Sequence, residues 1–418
     1  MRKTVRKNQG ITLIALVITI IVLLILAGVA IAMLSGENGI LRKAAEAKTR
    51  TDESQANETG ELVDLEILME ESTGNLKNVK DYPKDKKVEG KKVKLQDDNG
   101  DTIVIPVGFK IKGDSPTEVK KGIVVVAPDN SEFVWVPVKD PSKMFGVNAE
   151  GNKLGKLYNF TEDGKYTANN WVETSGIMNW IDESSNREPD YLSSILDGDA
   201  VTGDSTKGIE LLKSIIGLKE ENGDILTQWK TQLQNEFNDM AKYVEKNKGF
   251  YIGRYETSLN ETSKKAQSIS GTNSATAARG SANTWYGLYQ KEKEYSKQNK
   301  LKDVVGSSMI WESQYEQMLI WMLENGIDII SESPTNLEGV KTVSNKTRTT
   351  GAEEKDNLNN IYDLLGNSYE WTNMASDTDK RTQVGGCLIN ENGLFAYGEY
   401  SPNLTDVSAS SRITLYVK

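Results

Sequence analysis

The chain contains no histidine and a single cysteine, Cys387, among its 418 residues. Without histidine there is no Ser-His-Asp or Cys-His catalytic arrangement and no His-ligated zinc or iron site. One cysteine cannot form an internal disulfide, a CxxC metal knuckle or an internal redox pair. Any enzymatic chemistry would therefore depend on carboxylates, lysine, tyrosine or the lone thiol.

Positive charge is also scarce. The chain has 50 Lys and Arg residues against 60 Asp and Glu residues, which gives a formal net charge of -10. Binding to nucleic acid needs Lys and Arg side chains to replace the counterions of the phosphates. This balance excludes nucleic acid as an expected partner. The length is enough for two or three domains, since domains run to ~100–200 residues.

A long uncharged run follows a short basic segment at the N-terminus. Residues 11–34 carry no charge, and Arg2, Lys3, Arg6 and Lys7 precede them. An apolar helix of ~20 residues is long enough to span a bilayer. Because basic flanks stay in the cytoplasm, we expect a single-pass membrane protein with its C-terminal bulk at the cell surface. A secretory signal peptide, the alternative, has an apolar region of only ~7–15 residues.

The junction before this run resembles the leader of type IV prepilins. Gly10 ends the basic leader, and Ile-Thr-Leu-Ile follows at positions 11–14. The resemblance implies that a prepilin peptidase cuts between Gly10 and Ile11, and that the apolar helix stays in the mature protein. Ala15 stands where that family usually has Glu, a residue that aids filament assembly.

Two stretches after the anchor differ in pattern. Leu62, Leu65 and Met69 fall at i, i+3 and i+7, which predicts a charged helix with one apolar stripe. We interpret this helix as a solvated stalk. Residues 75–101 are rich in Lys, Asp and Gly and are typical of a linker.

Strand patterns begin near residue 102. Residues 122–126 and 132–136 are β-rich and flank Asp-Asn-Ser, which predicts a hairpin. Residues 140–230 are polar, with scattered Gly and Asp, and are expected to form an insertion with short helices. A second helical stripe then predicts a helix packed against a core, through Leu233, Phe237, Met240 and Val244.

Six segments of the C-terminal part occur in a characteristic order. They are FYIGRYETS at 250–258, NTWY at 283–286, IWESQYEQM at 310–318, NIYDLLGNSYEWT at 360–372, VGGC at 384–387 and RITLYV at 412–417. In this order they resemble the formylglycine-generating enzymes, also called sulfatase-modifying factors, and the fourth segment is the most specific. The resemblance implies an α+β fold, a decorated C-type-lectin-like domain.

The resulting domain organisation has five parts. We predict a basic leader over 1–10, a transmembrane or pilin-type helix over 11–34, a helical stalk and linker over 35–101, a strand-rich region with a polar insertion over 102–248, and a formylglycine-generating-enzyme-like domain over 249–418.

The ligands of the family's redox chemistry are missing. Its copper enzymes use a pair of cysteines and its iron-dependent relatives a His-rich site, whereas this chain has one cysteine and no histidine. We therefore expect no catalytic residues, no copper, iron or zinc, and no enzyme activity. Cys387 is interpreted as a buried small residue, because free cysteine is among the most buried residue types.

The resemblance also implies a calcium site. The side chains of Asp363 and Glu370 and the backbone carbonyls of Gly366 and Ser368 would supply its oxygen ligands. Calcium takes ~6–8 oxygen ligands, and a tight turn at glycine can direct carbonyls inward. The alternative is that Asp363 caps the turn and that Glu370 pairs with a Lys or Arg.

The expected function is non-catalytic display: a prepilin-like anchor presents a lectin-like domain to an extracellular protein or glycan. The expected partners are prepilin peptidase, the membrane and a pilus or secretion assembly. The alternatives are a structural pseudopilin of such an assembly, an unrecognised enzyme of the formylglycine-generating family, and a target of a diversity-generating system that varies residues 390–411. Candidates for a ligand surface are Trp285, Tyr286, Tyr369, Trp371, Phe395, Tyr397 and Tyr400.

Overall fold

The structure is a computed structural model with side chains. It describes residues 20–23, 40–148, 150–156, 158–160, 166–168, 209–273, 284–327, 349–364, 367–377, 380–385, 397–400 and 409–418. These residues form a mixed α+β protein, as predicted. The chain separates into two compact units, Met1–Glu66 and Ile67–Lys418, each of which is described by itself.

Five α-helices lie within the described residues. They are α1 (Ile40–Ser72), α2 (Ile225–Asn247), α3 (Trp285–Lys293), α4 (Tyr295–Gln298) and α5 (Glu312–Glu324). None of the helices that the structure describes is long and apolar enough to cross a membrane. Of the predicted membrane helix over 11–34, the structure describes residues 20–23, which are helical.

Helix α1 confirms the helix that the spacing of Leu62, Leu65 and Met69 predicts. Its apolar stripe faces solvent, since Leu62, Leu65 and Met69 are 64%, 55% and 60% exposed. Charged residues dominate the remainder of the helix. The exposed stripe agrees with the interpretation of α1 as a solvated helix.

The segment after α1 differs from the expected linker. Residues 75–101 contain strands β1 (Lys77–Asn78) and β2 (Val93–Gln96), and Val79 and Leu95 are fully buried. Strand β2 pairs antiparallel with β3 (Thr102–Ile105). The segment is mostly charged, but it contains a few apolar residues at alternate positions. The burial of these residues is sufficient to pack the segment against a core.

The remaining strands are short. They are β4 (Lys110–Ile111), β5 (Val124–Val126), β6 (Glu132–Pro137), β7 (Phe145–Val147), β8 (Lys153–Gly155), β9 (Tyr158–Phe160), β10 (Tyr166–Ala168), β11 (Gly249–Gly253), β12 (Ser258–Leu259), β13 (Ala266–Gln267), β14 (Val305–Met309), β15 (Asn357–Leu358), β16 (Ile361–Tyr362), β17 (Tyr369–Asp377), β18 (Lys380–Val384), β19 (Tyr397–Tyr400), β20 (Ala409–Ser411) and β21 (Ile413–Val417).

A six-stranded antiparallel sheet with the order β14-β21-β11-β6-β5-β4 forms the centre of the larger unit. The predicted hairpin is confirmed as β5 and β6, where Val124 lies opposite Val134. Asn130 turns the chain between them with a φ of 69°, a conformation that Asn tolerates. Because β6 pairs with β11, this sheet joins strands from both sides of the expected boundary at residue 249.

The two faces of this sheet bury different cores. Along β6, Val134 and Val136 join the core beneath α2 and α5, while Phe133 and Trp135 join the core shared with β2 and β3. Successive strand residues point to opposite faces, so a strand covered on both sides is apolar throughout. This explains the continuous apolar run of β6.

Helix α2 confirms the second predicted stripe. Its four members are buried with no exposed surface: Leu233, Phe237, Met240 and Val244. Asp224 caps the start of the helix by accepting from Thr227 N at 2.8 Å. The helix ends at Lys248, which adopts a left-handed φ of 58°. Two of the segments that carry the family resemblance, NTWY and IWESQYEQM, run into α3 and α5.

A second, four-stranded sheet has the order β19-β18-β17-β20. Strand β17 pairs antiparallel with β18 and parallel with β20. Because β20 leads almost directly into β21, this small sheet and the central sheet meet at Arg412. The candidate site lies at this junction.

Candidate functional site

The site begins at a tight turn between β15 and β16. Asn359, Asn360 and Asp363 have φ values of 53°, 70° and 56°, and Asn367 follows with 58°. Asn and Asp enter this left-handed region more readily than other residues with a Cβ. The Asn- and Asp-rich sequence therefore permits a coil that other side chains would strain.

Glycine allows this coil to lie against the central sheet. A Cβ on Gly122 would stand 2.1 Å from the carbonyl oxygen of Asn359, so no larger residue fits there. The Nδ2 atom of Asn360 donates to the carbonyl oxygens of Lys121 and Gly122, each at 2.9 Å. These contacts hold the turn between β15 and β16 against the segment that leads into β5.

A buried ion pair joins the coil to the last strand. Arg412 Nε donates to Glu370 Oε1 at 2.9 Å, and Arg412 Nη2 contacts the same oxygen. The guanidinium also donates to the carbonyl oxygens of Gly253 and Tyr362, both at 2.9 Å. Arg412 has no exposed surface and Glu370 is 1% exposed. The predicted alternative, in which Glu370 pairs with a cation, is therefore present.

A second carboxylate, Glu256, lies next to this pair. Its Oε1 accepts from Ser368 N at 3.0 Å, and its Oε2 accepts from Asn367 Nδ2 at 2.7 Å. Burial raises the pKa of Glu256 well above its ordinary value, the carboxylates of Asp363 and Glu370 raise it further, and Arg412 lowers it in part. Glu256 thus ties the coil over 367–368 to the end of β11.

Asp363 is 3% exposed and accepts from Gly351 N at 2.6 Å through its Oδ2. Burial raises the pKa of Asp363 to about 6, while the bond from Gly351 and the charge of Arg412 oppose that shift. This hydrogen bond links Asp363 to the backbone of Gly351, earlier in the chain.

Glu292 is the fourth buried carboxyl group. It projects from α3 and accepts from the hydroxyls of Thr257 and Ser411, the latter at 2.7 Å. Burial raises the pKa of Glu292 to about 8, and the two hydroxyls lower it in part. With hydroxyl partners and no cation in hydrogen-bond contact within the described residues, Glu292 is expected to hold its proton at neutral pH.

Chemically, the site is an interior with four carboxyl groups, Glu256, Glu292, Asp363 and Glu370, around one guanidinium. Glu292 Oε2 and Glu370 Oε2 are buried and have no hydrogen-bond partner within the described residues. An excess of buried carboxyl groups must be neutralised by protons or by a bound cation. The carboxylate oxygens are of the kind that calcium prefers.

The structure describes three of the four residues that are predicted to bind calcium. Asp363, Ser368 and Glu370 are brought together in the described coil, whereas Gly366 lies outside the described residues. Over the described ranges, no three Asp, Glu, Cys or His side chains are grouped as a metal ion would need. The calcium site stays a prediction.

Two further predictions fall on undescribed positions: processing at Gly10 and Ile11, and a buried role for Cys387.

The structure describes the side chains of four of the aromatic residues that were candidates for a ligand surface. Trp285, Tyr286, Tyr369 and Trp371 are at most 5% exposed and belong to the core, so they form no ligand surface. The side chains of Phe395, Tyr397 and Tyr400 lie outside the described set.

Comparison with known proteins adds little. No protein-family model matches the chain, and no curated protein matches it. Among solved structures, the crystal structure of CarF is similar at 13% identity with a TM-score of 0.28, covering 41% of this chain and 87% of that chain. A likeness of this size carries no argument about fold or function.

Proposed function

We propose that the chain is a non-catalytic, prepilin-like surface protein. A basic leader over 1–10 precedes a membrane-spanning pilin-type helix over 11–34, and the α+β unit is a decorated C-type-lectin-like head that binds an extracellular ligand. The observation that carries this proposal is the basic leader that ends at Gly10, directly before an uncharged run as long as a bilayer is thick. A long helix, α1, follows that run.

Two observations support a binding function rather than catalysis. The sequence lacks histidine and has one cysteine. The buried charged groups of the head are also engaged in fixing the chain: Arg412 contacts Glu370 and two backbone carbonyls, and Glu256 holds residues 367–368. Charged side chains that are held by such contacts stabilise the fold. A stable fold of this kind can present a binding surface.

The mass of the mature protein tests the proposal. In cells with a prepilin peptidase, the full chain is expected to lose residues 1–10 and to begin at Ile11, while the C-terminal part is reached by protease added to intact cells. Gly10→Val should abolish the cut and leave the anchor in place. Gly36→Val, a change beyond the anchor, is the matched control and should leave the cut unaffected. A mature N-terminus at Met1 or beyond Leu34 would contradict the proposal.

A structural pseudopilin is the second candidate. The exposed apolar stripe of α1 favours it, because Leu62, Leu65 and Met69 present a surface that another helix could cover. If the processed protein co-purifies with an assembly complex and its removal stops secretion or pilus growth, the pseudopilin is favoured. Display at the surface without such a complex favours the ligand-binding head.

A further inference from the structure

A pocket of about 270 Å³ lies on the larger unit, away from the Arg412 site. Its lining comes from the end of β6 and the turn after it, from the pair β9 and β10, and from α5. The lining residues that matter here are Lys143, Tyr158, Tyr166, Gln317, Trp321 and Glu324. The volume is near the lower end of the ~300–1,000 Å³ that small-molecule sites span. It therefore suits a compact ligand.

The inner wall is aromatic. Tyr158 and Trp321 are 7% and 3% exposed, and the ring centroids of Tyr158 and Tyr166 are 5.8 Å apart at an interplanar angle of 78°. Tyr158 OH donates to the carbonyl oxygen of Lys143, and Tyr166 OH donates to Glu324 Oε1 at 2.9 Å. Because the wall itself engages both hydroxyls, the rings are held in place and offer carbon surface to a ligand.

The rim is polar, and part of it is already engaged. Lys139 pairs with Asp101 at 2.7 Å, and Asp140 accepts from Ser142 Oγ at 2.6 Å. Over the residues that the structure describes, the Lys143 ammonium and the Gln317 amide make no hydrogen bond or ion pair. Both groups can donate to a ligand that carries oxygen acceptors.

The charge of the pocket rim limits the class of ligand that the pocket can bind. The rim contains two lysines, Lys139 and Lys143, and two carboxylates, Asp140 and Glu324, so its formal charges cancel. A phosphorylated ligand would need an excess of cations. A lipid tail would leave the charged rim desolvated without partners. A ligand with a face of C–H groups and an edge of hydroxyls satisfies both the aromatic wall and the donor groups.

From these features we infer that the pocket binds one or two units of a neutral saccharide. The sugar ring packs its C–H face on Tyr166 and the buried aromatic wall, and its hydroxyls accept from Gln317 and Lys143. This inference rests on the proposed binding function of the head and names its ligand class. The Arg412 site plays no part in it.

The test uses the full chain in lipid nanodiscs and four neutral disaccharides: cellobiose, maltose, lactose and N,N′-diacetylchitobiose. Calorimetry is expected to detect at least one of them at concentrations up to about 10 mM, beyond the ~1 mM Kd of a weak ligand. Tyr166→Ala should weaken that binding at least about tenfold, and Gln317→Ala should also weaken it. Tyr166→Phe keeps the ring and should retain most of the affinity.

Tyr82→Ala is the matched control, since Tyr82 is a half-buried tyrosine that does not line the pocket. It should bind as the unchanged chain does. Absence of binding by all four disaccharides would overturn the inference, as would binding that is unaffected by Tyr166→Ala. Neither outcome bears on surface display, which is tested independently by the mass of the mature protein and by protease added to intact cells. Failure of the ligand class is thus distinguishable from failure of the proposed function.

Discussion

Two parts of the interior are equally buried and chemically opposite. Beneath α2, Leu233 and Phe237 lie among other apolar side chains. Around Arg412, Glu256 and Glu370 are just as inaccessible to water but depend on specific hydrogen bonds. The first part is stabilised by the removal of apolar area from water. The second is stable only while each charge keeps its partner.

The largest expected effect breaks the ion pair. Arg412→Met should lower the free energy of unfolding by about 3–5 kcal/mol, because it leaves the Glu370 carboxylate buried without its cation. Adding Glu370→Gln should recover part of this loss, since the remaining group is then neutral. Urea unfolding of the full chain, followed by tryptophan fluorescence, measures both changes.

The apolar core supplies the control for this cycle. Leu233→Ala should cost about 2–5 kcal/mol through lost burial and a cavity. Combined with Glu370→Gln, its effect should be additive, because the two side chains share no partner. If Arg412→Met proves additive with Glu370→Gln as well, the two interiors do not differ as described.

Calcium is expected to stabilise the polar interior in particular. A ligand that binds only the folded state contributes RT ln(1 + [L]/Kd), or about 2.7 kcal/mol at a hundredfold excess over Kd. Calcium should therefore raise the melting temperature of the full chain, and a chelator should reverse the rise. Asp363→Asn should remove the response, because Asn keeps the shape and tolerates the φ of 56° but loses the charge.

Magnesium at the same concentration is the control, because it demands stricter octahedral geometry and retains its water. A melting temperature that ignores both calcium and chelator would show that Asp363 and Glu370 act only as structural carboxyl groups. Loss of the calcium response in Leu233→Ala would likewise contradict a site confined to the polar interior.

The smallest effect, for a change of one pH unit, concerns the pH dependence of stability. Burial raises the pKa of Glu292 from 4.5 to about 8, so the folded chain keeps this proton where the unfolded chain releases it. The contribution of Glu292 to stability is therefore greatest below about pH 4.5 and is lost as the pH rises toward 8, by ~1.4 kcal/mol per pH unit. Glu292→Gln should flatten this slope in urea unfolding. Glu221→Gln, on an exposed carboxylate, should leave the slope unchanged.

The apolar interior was predictable from the sequence, whereas the polar one was predictable only at Asp363 and Glu370. The spacing of Leu233, Phe237 and Met240 predicts a buried helix, because apolar periodicity and burial have the same cause. A buried charge has no such signature: Glu256 and Arg412 lie inside segments noted for a family resemblance, and neither residue was predicted to be buried. Their burial depends on partners far away in the sequence, such as Ser368 for Glu256 and Gly253 for Arg412.

The saccharide pocket escaped prediction for a related reason. Tyr158 and Tyr166 come from a polar insertion, and Trp321 comes from a helix whose apolar residues read as core. Only the fold brings these three side chains to one pocket. The sequence predicted a ligand surface at other aromatic residues, of which Trp285, Tyr286, Tyr369 and Trp371 are buried in the core. The positions of aromatic residues in the sequence do not reveal which of them face a ligand.

The position of β21 sets the order in which the head can be completed. Strand β21 lies between the edge strand β14 and β11 in the central sheet, and Val417 pairs with Val305. A chain that is synthesised from its N-terminus cannot close the sheet until residues 413–417 have been made. Until then β11 and β14 have open edges that can recruit other strands. A truncation before Ile413 would therefore leave β11 and β14 without the strand that pairs with both of them.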